Sequence, residues 1–296
     1  MSEYIKNMTI HRTFVGILAF LVLVFISADQ AHSATAKKGK KNSPKTPTIN
    51  LRARAALVMD TESRLILYSK NLTEKRPIAS LTKLMTALVF LDTSPDLGEP
   101  LILQYEDRAP RGGKSLFRAG ETFHLMDLLY AALMTSDNLA TKALARSTGL
   151  SQAEFVARMN LKAESLGLSA TRFADPTGLN PLNMSTALDC AKLLMSALQD
   201  SLISQITSTK QYTIRSLIRR RKIVLQNTCR LLNYRPEILG AKTSFIVRSG
   251  YCLVTCAENS TGKKLAFVVL GAPSNYSRFR DMQRLMDWSF KFSFTD

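Results

Sequence analysis

The sequence predicts an α/β fold in which one sheet, drawn from both ends of the chain, is covered by helices. Three observations predict it. β-rich runs open the folded part after residue 51, helix-period segments fill the middle, and β-rich runs return after residue 205 before a closing amphipathic helix. With 296 residues, 46% hydrophobic and 21% charged, the chain has ordinary globular composition and enough material for a substantial core.

Taken in order, "RAALVMDTESRLILYSKN" reads as two strands around an Asp60–Thr61–Glu62–Ser63 turn. Pro77 punctuates the chain, and "SLTKLMTALVFLDT" then sets Leu81, Leu84, Met85, Leu88 and Val89 at helical spacing. Further helices are expected in "TFHLMDLLYAALMT", "NLATKALARSTG", "SQAEFVARMNLKAESLG" and "STALDCAKLLMSALQD", separated by turns such as "ADPTGLNP". Strands are expected in "QYTIRSLIRRRKIVLQN", "GAKTSFIVRSGYCLVTCAEN" and "KKLAFVVLGAPS", the last two joined by a turn at Glu258–Gly262. "YSRFRDMQRLMDWSFKF" closes as a helix, and no internal repeat is visible.

Ahead of this domain, assigned to 51–296, lie two segments of another kind. Lys6, His11 and Arg12 precede the apolar "TFVGILAFLVLVFISA", and Ala34–Thr35–Ala36 supplies small residues for cleavage. Residues 1–36 therefore read as a secretory signal peptide, with an uncleaved signal anchor as the alternative. Export from a bacterium, to the periplasm, is the expected context. Residues 37–50, "KKGKKNSPKTPTIN", read as a basic flexible tether able to lie along an anionic wall or membrane surface. The formal charge of +17 survives removal of the signal, since Lys6 and Arg12 balance Glu3 and Asp29. A second basic cluster, Arg215 with Arg219, Arg220, Arg221 and Lys222, reads as a solvated hairpin face or as contact with an anionic polymer. Nucleic acid is not the expected partner of an exported chain without a binding motif.

Composition also excludes chemistry. Once the signal is gone His124 is the one histidine left, and "FHLMDLL" suits a packed helix residue better than a catalyst. Zinc centres built on several histidines are out, and neither a metal nor a cofactor is expected. The cysteines Cys190, Cys229, Cys252 and Cys256 follow no metal-ligand spacing. Cys252 and Cys256 sit about 13 Å apart along one strand, too far to bridge each other; packed free thiols are expected, with pairing to Cys190 or Cys229 in an oxidising compartment as the alternative.

A hydrolase without a histidine base needs another one, and lysine can serve. Ser80 and Lys83 lie three apart at a helix start, on one side of a turn. A partly buried lysine near other cations loses its proton near neutral pH and can accept one from a hydroxyl. By itself the S-x-x-K spacing is weak. The second element is Ser136–Asp137–Asn138, where Ser136 can relay a proton and Asn138 can bind an amide; the plain alternative is a helix N-cap. The third is "GAKTSFIVRSGYCL", where strand alternation puts Lys242, Ser244 and Ile246 on one face and Thr243 and Phe245 on the other. As an edge strand it offers free backbone N–H groups to a substrate. S-x-x-K, S-D-N and K-T-G together form the signature of class A β-lactamases and penicillin-binding proteins, and this chain carries the first two complete with "KTS" for the third.

From residue 52 to 290 the chain resembles the low-molecular-mass penicillin-binding proteins, the serine D-alanyl-D-alanine peptidases of the S11 type. "RGGKSLFRAGETF", "ALMTSDNLATKALA", "MNLKAESLGLSATRFADPTGLN", "NTCRLLN" and "KTSFIVRSGYCLV" look most like the D-alanyl-D-alanine endopeptidases. The short segment after the last helix, with no further β-domain or amphipathic anchor, points the same way. The resemblance implies an antiparallel sheet flanked by helices, with a helical lobe, as in β-lactamases. It implies Ser80 as the acylated nucleophile, Lys83 as its proton acceptor and Ser136 as the relay. Asn138, Lys242 and Thr243 would bind substrate, the last near its terminal carboxylate, and the N–H groups of Ser80 and Phe245 would form the oxyanion hole. Arg248 is a further candidate for carboxylate recognition. The implied partners are peptidoglycan peptides, with β-lactams as covalent inhibitors that leave slowly, because no glutamate is placed for fast deacylation.

Ser244 departs from the pattern. Glycine at this position lets the strand pass close to the nucleophile, and a serine is expected to narrow or crowd the cleft. The implied activity is cleavage of D-alanyl–diaminopimelate cross-links. Release of terminal D-alanine is the alternative, and a catalytically weak wall-binding protein is the alternative that Ser244 keeps open.

Overall fold

The computed structural model describes residues 49–108 and 115–291. The expected signal peptide, the tether up to residue 48 and part of "RGGKSLF" lie outside the described residues. Five antiparallel strands form the main sheet: β1 (Ala55–Asp60), β2 (Ile66–Lys70), β3 (Ile238–Ile246), β4 (Gly250–Glu258) and β5 (Lys264–Ala272), in the order β2-β1-β5-β4-β3. Both ends of the chain thus meet in one sheet, with Ala55 opposite Leu270 and Asp60 opposite Leu265.

β1 is apolar without a break up to Asp60 because both its faces are covered. Ala55, Leu57 and Met59 belong to one buried cluster, whereas Ala56 and Val58 belong to the other. The alternation continues in β5, where Val268 and Leu270 face the first cluster and Phe267 and Val269 the second. The second cluster is closed by α7 (Asn275–Lys291), through Phe279, Met282, Leu285 and Met286.

The first cluster is the larger and holds the helical lobe. Its helices are α1 (Thr82–Leu91), α2 (Leu125–Tyr130), α3 (Asn138–Ser147), α4 (Gln152–Ser165), α5 (Ala187–Ala197) and α6 (Ser201–Ser208). Two of the starts show their local cause plainly. Ser151 and Glu154 form a reciprocal capping box on α4, and Thr186 caps α5 through Asp189 N. No described helix is long and apolar enough to cross a membrane.

Three expectations change. Residues 122–124 pair as a short strand with Pro100–Ile102 before α2 begins. α6 was not expected in "SLISQITS"; Asp200 accepts from both Leu202 N and Ile203 N, and Ile203, Ile206 and Thr207 bury one face. The strands Gln211–Arg215 and Lys222–Gln226 do not join the main sheet but form a separate hairpin. That hairpin anchors itself by burying Ile214, Ile223 and Leu225, and Arg221 in its basic tip pairs with the fully buried Glu121 at 2.8 Å.

Candidate active site

Ser80 sits in a single 3₁₀ turn, Ala79–Leu81, that runs directly into α1. Ala79 takes φ 48°, an unfavourable conformation for a residue with a Cβ, and Gly178 closes against its carbonyl. Gly178 itself has φ 84°, and a Cβ there would lie 2.0 Å from Ala79 O. Only glycine fits. One helical turn on, Lys83 is 1% exposed with Nζ 3.1 Å from Ser80 Oγ.

The same Nζ lies 2.8 Å from Asn138 Oδ1 and 2.6 Å from the carbonyl of Thr177. Burial pushes the Lys83 pKa down to about 7, against the pull of the Asp175 and Asp137 carboxylates. A neutral amine has two N–H groups and one lone pair. Asn138 and Thr177 accept the two N–H groups, which leaves the lone pair facing the Ser80 hydroxyl.

Beyond α2 the chain continues through a π-helical turn, Ala131–Thr135, and breaks at Ser136 in the left-handed region, φ 62°. Asp137 is the N-cap of α3, accepting from Ala140 N at 3.0 Å, and it also holds Ser115 Oγ at 2.7 Å. With the cap assigned to Asp137, Ser136 and Asn138 are left for the cleft. Ser136 Oγ accepts from Lys242 Nζ at 2.9 Å.

Lys242 and Ser244 lie on the edge strand β3, opposite Val254 and Cys252 of β4, and face the helical lobe. Burial holds the Lys242 amine well below its ordinary pKa, and the charges of Lys83 and Arg278 push it the same way. Thr243 donates to Thr228 Oγ1 at 2.7 Å. Ser244 is 4% exposed, and its hydroxyl donates to the carbonyl of Ile78 at 2.7 Å. The serine therefore turns its oxygen into the wall of the cleft. Phe245 stays exposed at the rim and stacks on Tyr251 with centroids 4.2 Å apart.

These segments enclose a cleft of about 840 Å³ lined by Ser80, Ser136, Asn138, Thr243, Phe245 and Arg278, among others. His124 and Arg248 are not on its walls. Arg248 lies past the end of β3 and lines the neighbouring hollow. Arg278 of α7 is in the cleft instead, 7% exposed, donating to Ser244 O at 3.0 Å while its buried Nε has no partner among the described residues.

The loop after α4 is the other contribution that motif reading missed. One Asp175 oxygen accepts from Thr177 N at 2.6 Å and Gly178 N at 2.8 Å, and the other accepts from Asn180 N at 2.6 Å and Asn183 Nδ2 at 2.9 Å. This carboxylate shapes the loop that delivers Thr177 O to Lys83. Asp followed by Thr and Gly in "ADPTGLNP" was the signal for such a turn. All four cysteines are free and buried, and burial pushes the Cys190 thiol up to about 12.

Comparison with known proteins gives concordant matches. The peptidase S11 family model, described as D-alanyl-D-alanine carboxypeptidase, matches residues 40–274. A D-alanyl-D-alanine endopeptidase of Pseudomonas aeruginosa is 36% identical over 273 residues, covering 92% of this chain and 87% of that one. A D-alanyl-D-alanine carboxypeptidase of Bacillus subtilis is 31% identical over 280 residues, covering 93% and 70%. The crystal structure of the Streptomyces K15 DD-transpeptidase is similar with a TM-score of 0.78 at 27% identity, covering 83% of this chain and 100% of that one.

Proposed function

The chain belongs to the S11 family of serine D-alanyl-D-alanine peptidases, and we propose that it hydrolyses D-alanyl–diaminopimelate cross-links of peptidoglycan through an acyl-enzyme on Ser80. One observation carries the mechanism: the Lys83 amine lies 3.1 Å from Ser80 Oγ with Asn138 Oδ1 and Thr177 O as two further acceptors, so that in its neutral form two N–H groups are taken up and the lone pair is left for the nucleophile.

In the acylation step Lys83 Nζ takes the Ser80 proton as Oγ attacks the carbonyl carbon of D-alanine. The N–H groups of Ser80 and Phe245 hold the oxyanion. The C–N bond then breaks as Ser136 passes its hydroxyl proton to the departing amine, and the proton that Lys83 took from Ser80 replaces it on Ser136, which leaves Lys83 neutral while Lys242 holds the Ser136 oxygen in place. Asn138 binds the substrate amide. Thr243 binds the terminal carboxylate, and the Arg278 guanidinium on the cleft wall supplies positive charge behind it. Water repeats the sequence on the ester with Lys83 as base, releasing the acid and Ser80.

The preference for cross-links over terminal D-alanine rests on the resemblance to the endopeptidases. Export to the periplasm and contact of the basic tether with an anionic wall or membrane surface belong to the same proposal. Purified dimeric muropeptides are the test. Conversion to monomers supports the endopeptidase, loss of D-alanine alone reassigns the enzyme as a carboxypeptidase, and no product together with no penicillin label on Ser80 overturns catalysis.

A further inference from the structure

Next to the catalytic cleft is a second concavity of about 750 Å³, into which Arg52, Arg54, Lys70, Arg76 and Arg248 converge beside Tyr251. No aspartate or glutamate lines it among the described residues. Two acids flank it: Glu74 is paired with Arg76 Nη1, and the buried Asp281 accepts from Ala53 N at 2.7 Å and lies within reach of the Lys70 charge. The side chains of Arg52, Arg54 and Arg248 have no hydrogen bond or ion pair among the described residues, and the buried Arg76 Nε has no partner. Five cations line the hollow against these two flanking acids, which leaves an excess of positive charge for an anionic ligand to meet.

The hollow is held open by specific packing. Lys70 Nζ donates to Leu51 O at 3.0 Å, and Asn71 Nδ2 donates to Arg54 O at 2.7 Å, which tie the end of β2 to the segment before β1. Gly271 of β5 has φ 70°, and a Cβ there would lie 2.8 Å from Arg76 Nη2 and 3.0 Å from Arg54 Cβ. The bare glycine lets the two arginines close over the strand.

Phe245 and Val247 line both the cleft and the hollow. A peptide added to the edge strand β3 as a further strand advances about 3.3 Å per residue and, beyond Val247, passes from one concavity into the other. We propose that the hollow is a subsite for the acidic stem of the peptide whose D-alanine acylates Ser80, its guanidinium groups binding the free carboxylates of that stem. The proposal rests on the peptidoglycan reading above and names the part of the substrate this face recognises. A concave site opening onto the cleft suits an extended peptide, whereas a lipid surface needs a flat basic face.

The test measures binding without turnover. Full-length Ser80→Ala protein is titrated with the tetrapeptide L-Ala–γ-D-Glu–diaminopimelate–D-Ala, with the same peptide amidated at its internal carboxylates, and with phosphatidylglycerol vesicles. Charge reversal at Arg54→Glu with Arg248→Glu is expected to weaken the acidic tetrapeptide about tenfold. The amidated peptide is expected to bind parent and variant alike. Unchanged affinity for the acidic peptide on charge reversal, or equal parent affinities for the two peptides, overturns the proposal; so does loss of vesicle binding with peptide binding intact. If the double variant melts early, Arg248→Gln alone reads the same contrast. Failure to cleave muropeptides by the parent enzyme sinks the activity reading and leaves this binding result to stand or fall by itself.

Discussion

The Ser244 hydroxyl donates a 2.7 Å hydrogen bond to the carbonyl of Ile78, two residues before the nucleophile. That bond ties the edge strand β3 to the turn carrying Ser80. A side chain expected to narrow or crowd the cleft lines it with its hydroxyl turned into the wall, where the same carbonyl also accepts from Leu81 N at 3.3 Å.

Ser244→Gly is therefore expected to cost about 1 kcal/mol, because the buried carbonyl keeps a second donor. The melting temperature should fall by about 3 °C. Covalent labelling of Ser80 by a fluorescent penicillin should persist. A variant that folds but takes no label would show that the hydroxyl is indispensable for acylation.

The base must be uncharged, so the acylation rate should climb with pH and level off above the Lys83 pKa of about 7. Stability should follow the same sign. The unfolded chain holds its lysine proton up to about 10.5 while the folded one releases it near 7. Between those values the unfolded state binds more protons, and Lys83 makes folding more favourable as pH rises; below about 7 its burial penalty is complete. Rapid-mixing label kinetics and urea titrations read the two effects, and a flat acylation profile between pH 6 and 8.5 contradicts the assignment.

Asp175 raises the Lys83 pKa through space and shapes the loop that touches it. Asp175→Asn should thus move the inflection of the acylation profile to lower pH. The weakened acceptor should also cost about 2 kcal/mol. An inflection that stays put, or rises, would dissociate the carboxylate from the base.

Gly178→Ala combines a left-handed backbone, φ 84°, with a Cβ 2.0 Å from Ala79 O. The expected loss is about 3 kcal/mol or more, with label incorporation reduced at least as far as the folded fraction. A melting curve superimposable on the parent's would refute the close packing of this loop beneath Ser80.

Much of this was legible in the sequence because it is local. Ser80 with Lys83 and Ser136 with Asn138 each sit within one turn, and strand alternation placed Lys242 and Ser244 on the face they occupy. The contacts that escaped are long-range or run through backbone. Thr177 reaches Lys83 across 94 residues with a carbonyl, which leaves no side-chain signature. Arg278 shares the buried face of α7 with Met282 and Leu285 at helical spacing, but that spacing does not show that the packing of α7 on β4 brings its guanidinium to the cleft. Arg248 follows the motif closely in sequence, yet the turn between β3 and β4 carries it past the cleft. The isoleucines of α6 favour a strand locally, and the Asp200 cap with one-sided burial outweighs them.

The four buried thiols give the protein an intrinsic reporter of its own opening. Cys190 and Cys252 are fully enclosed, and burial raises both thiols above their ordinary range. An alkylating reagent therefore meets a reactive thiolate only in molecules that have lost this packing. The pace of modification, followed by mass spectrometry as successive adducts, measures how often the sheet and the helical lobe part company. No engineered probe is needed.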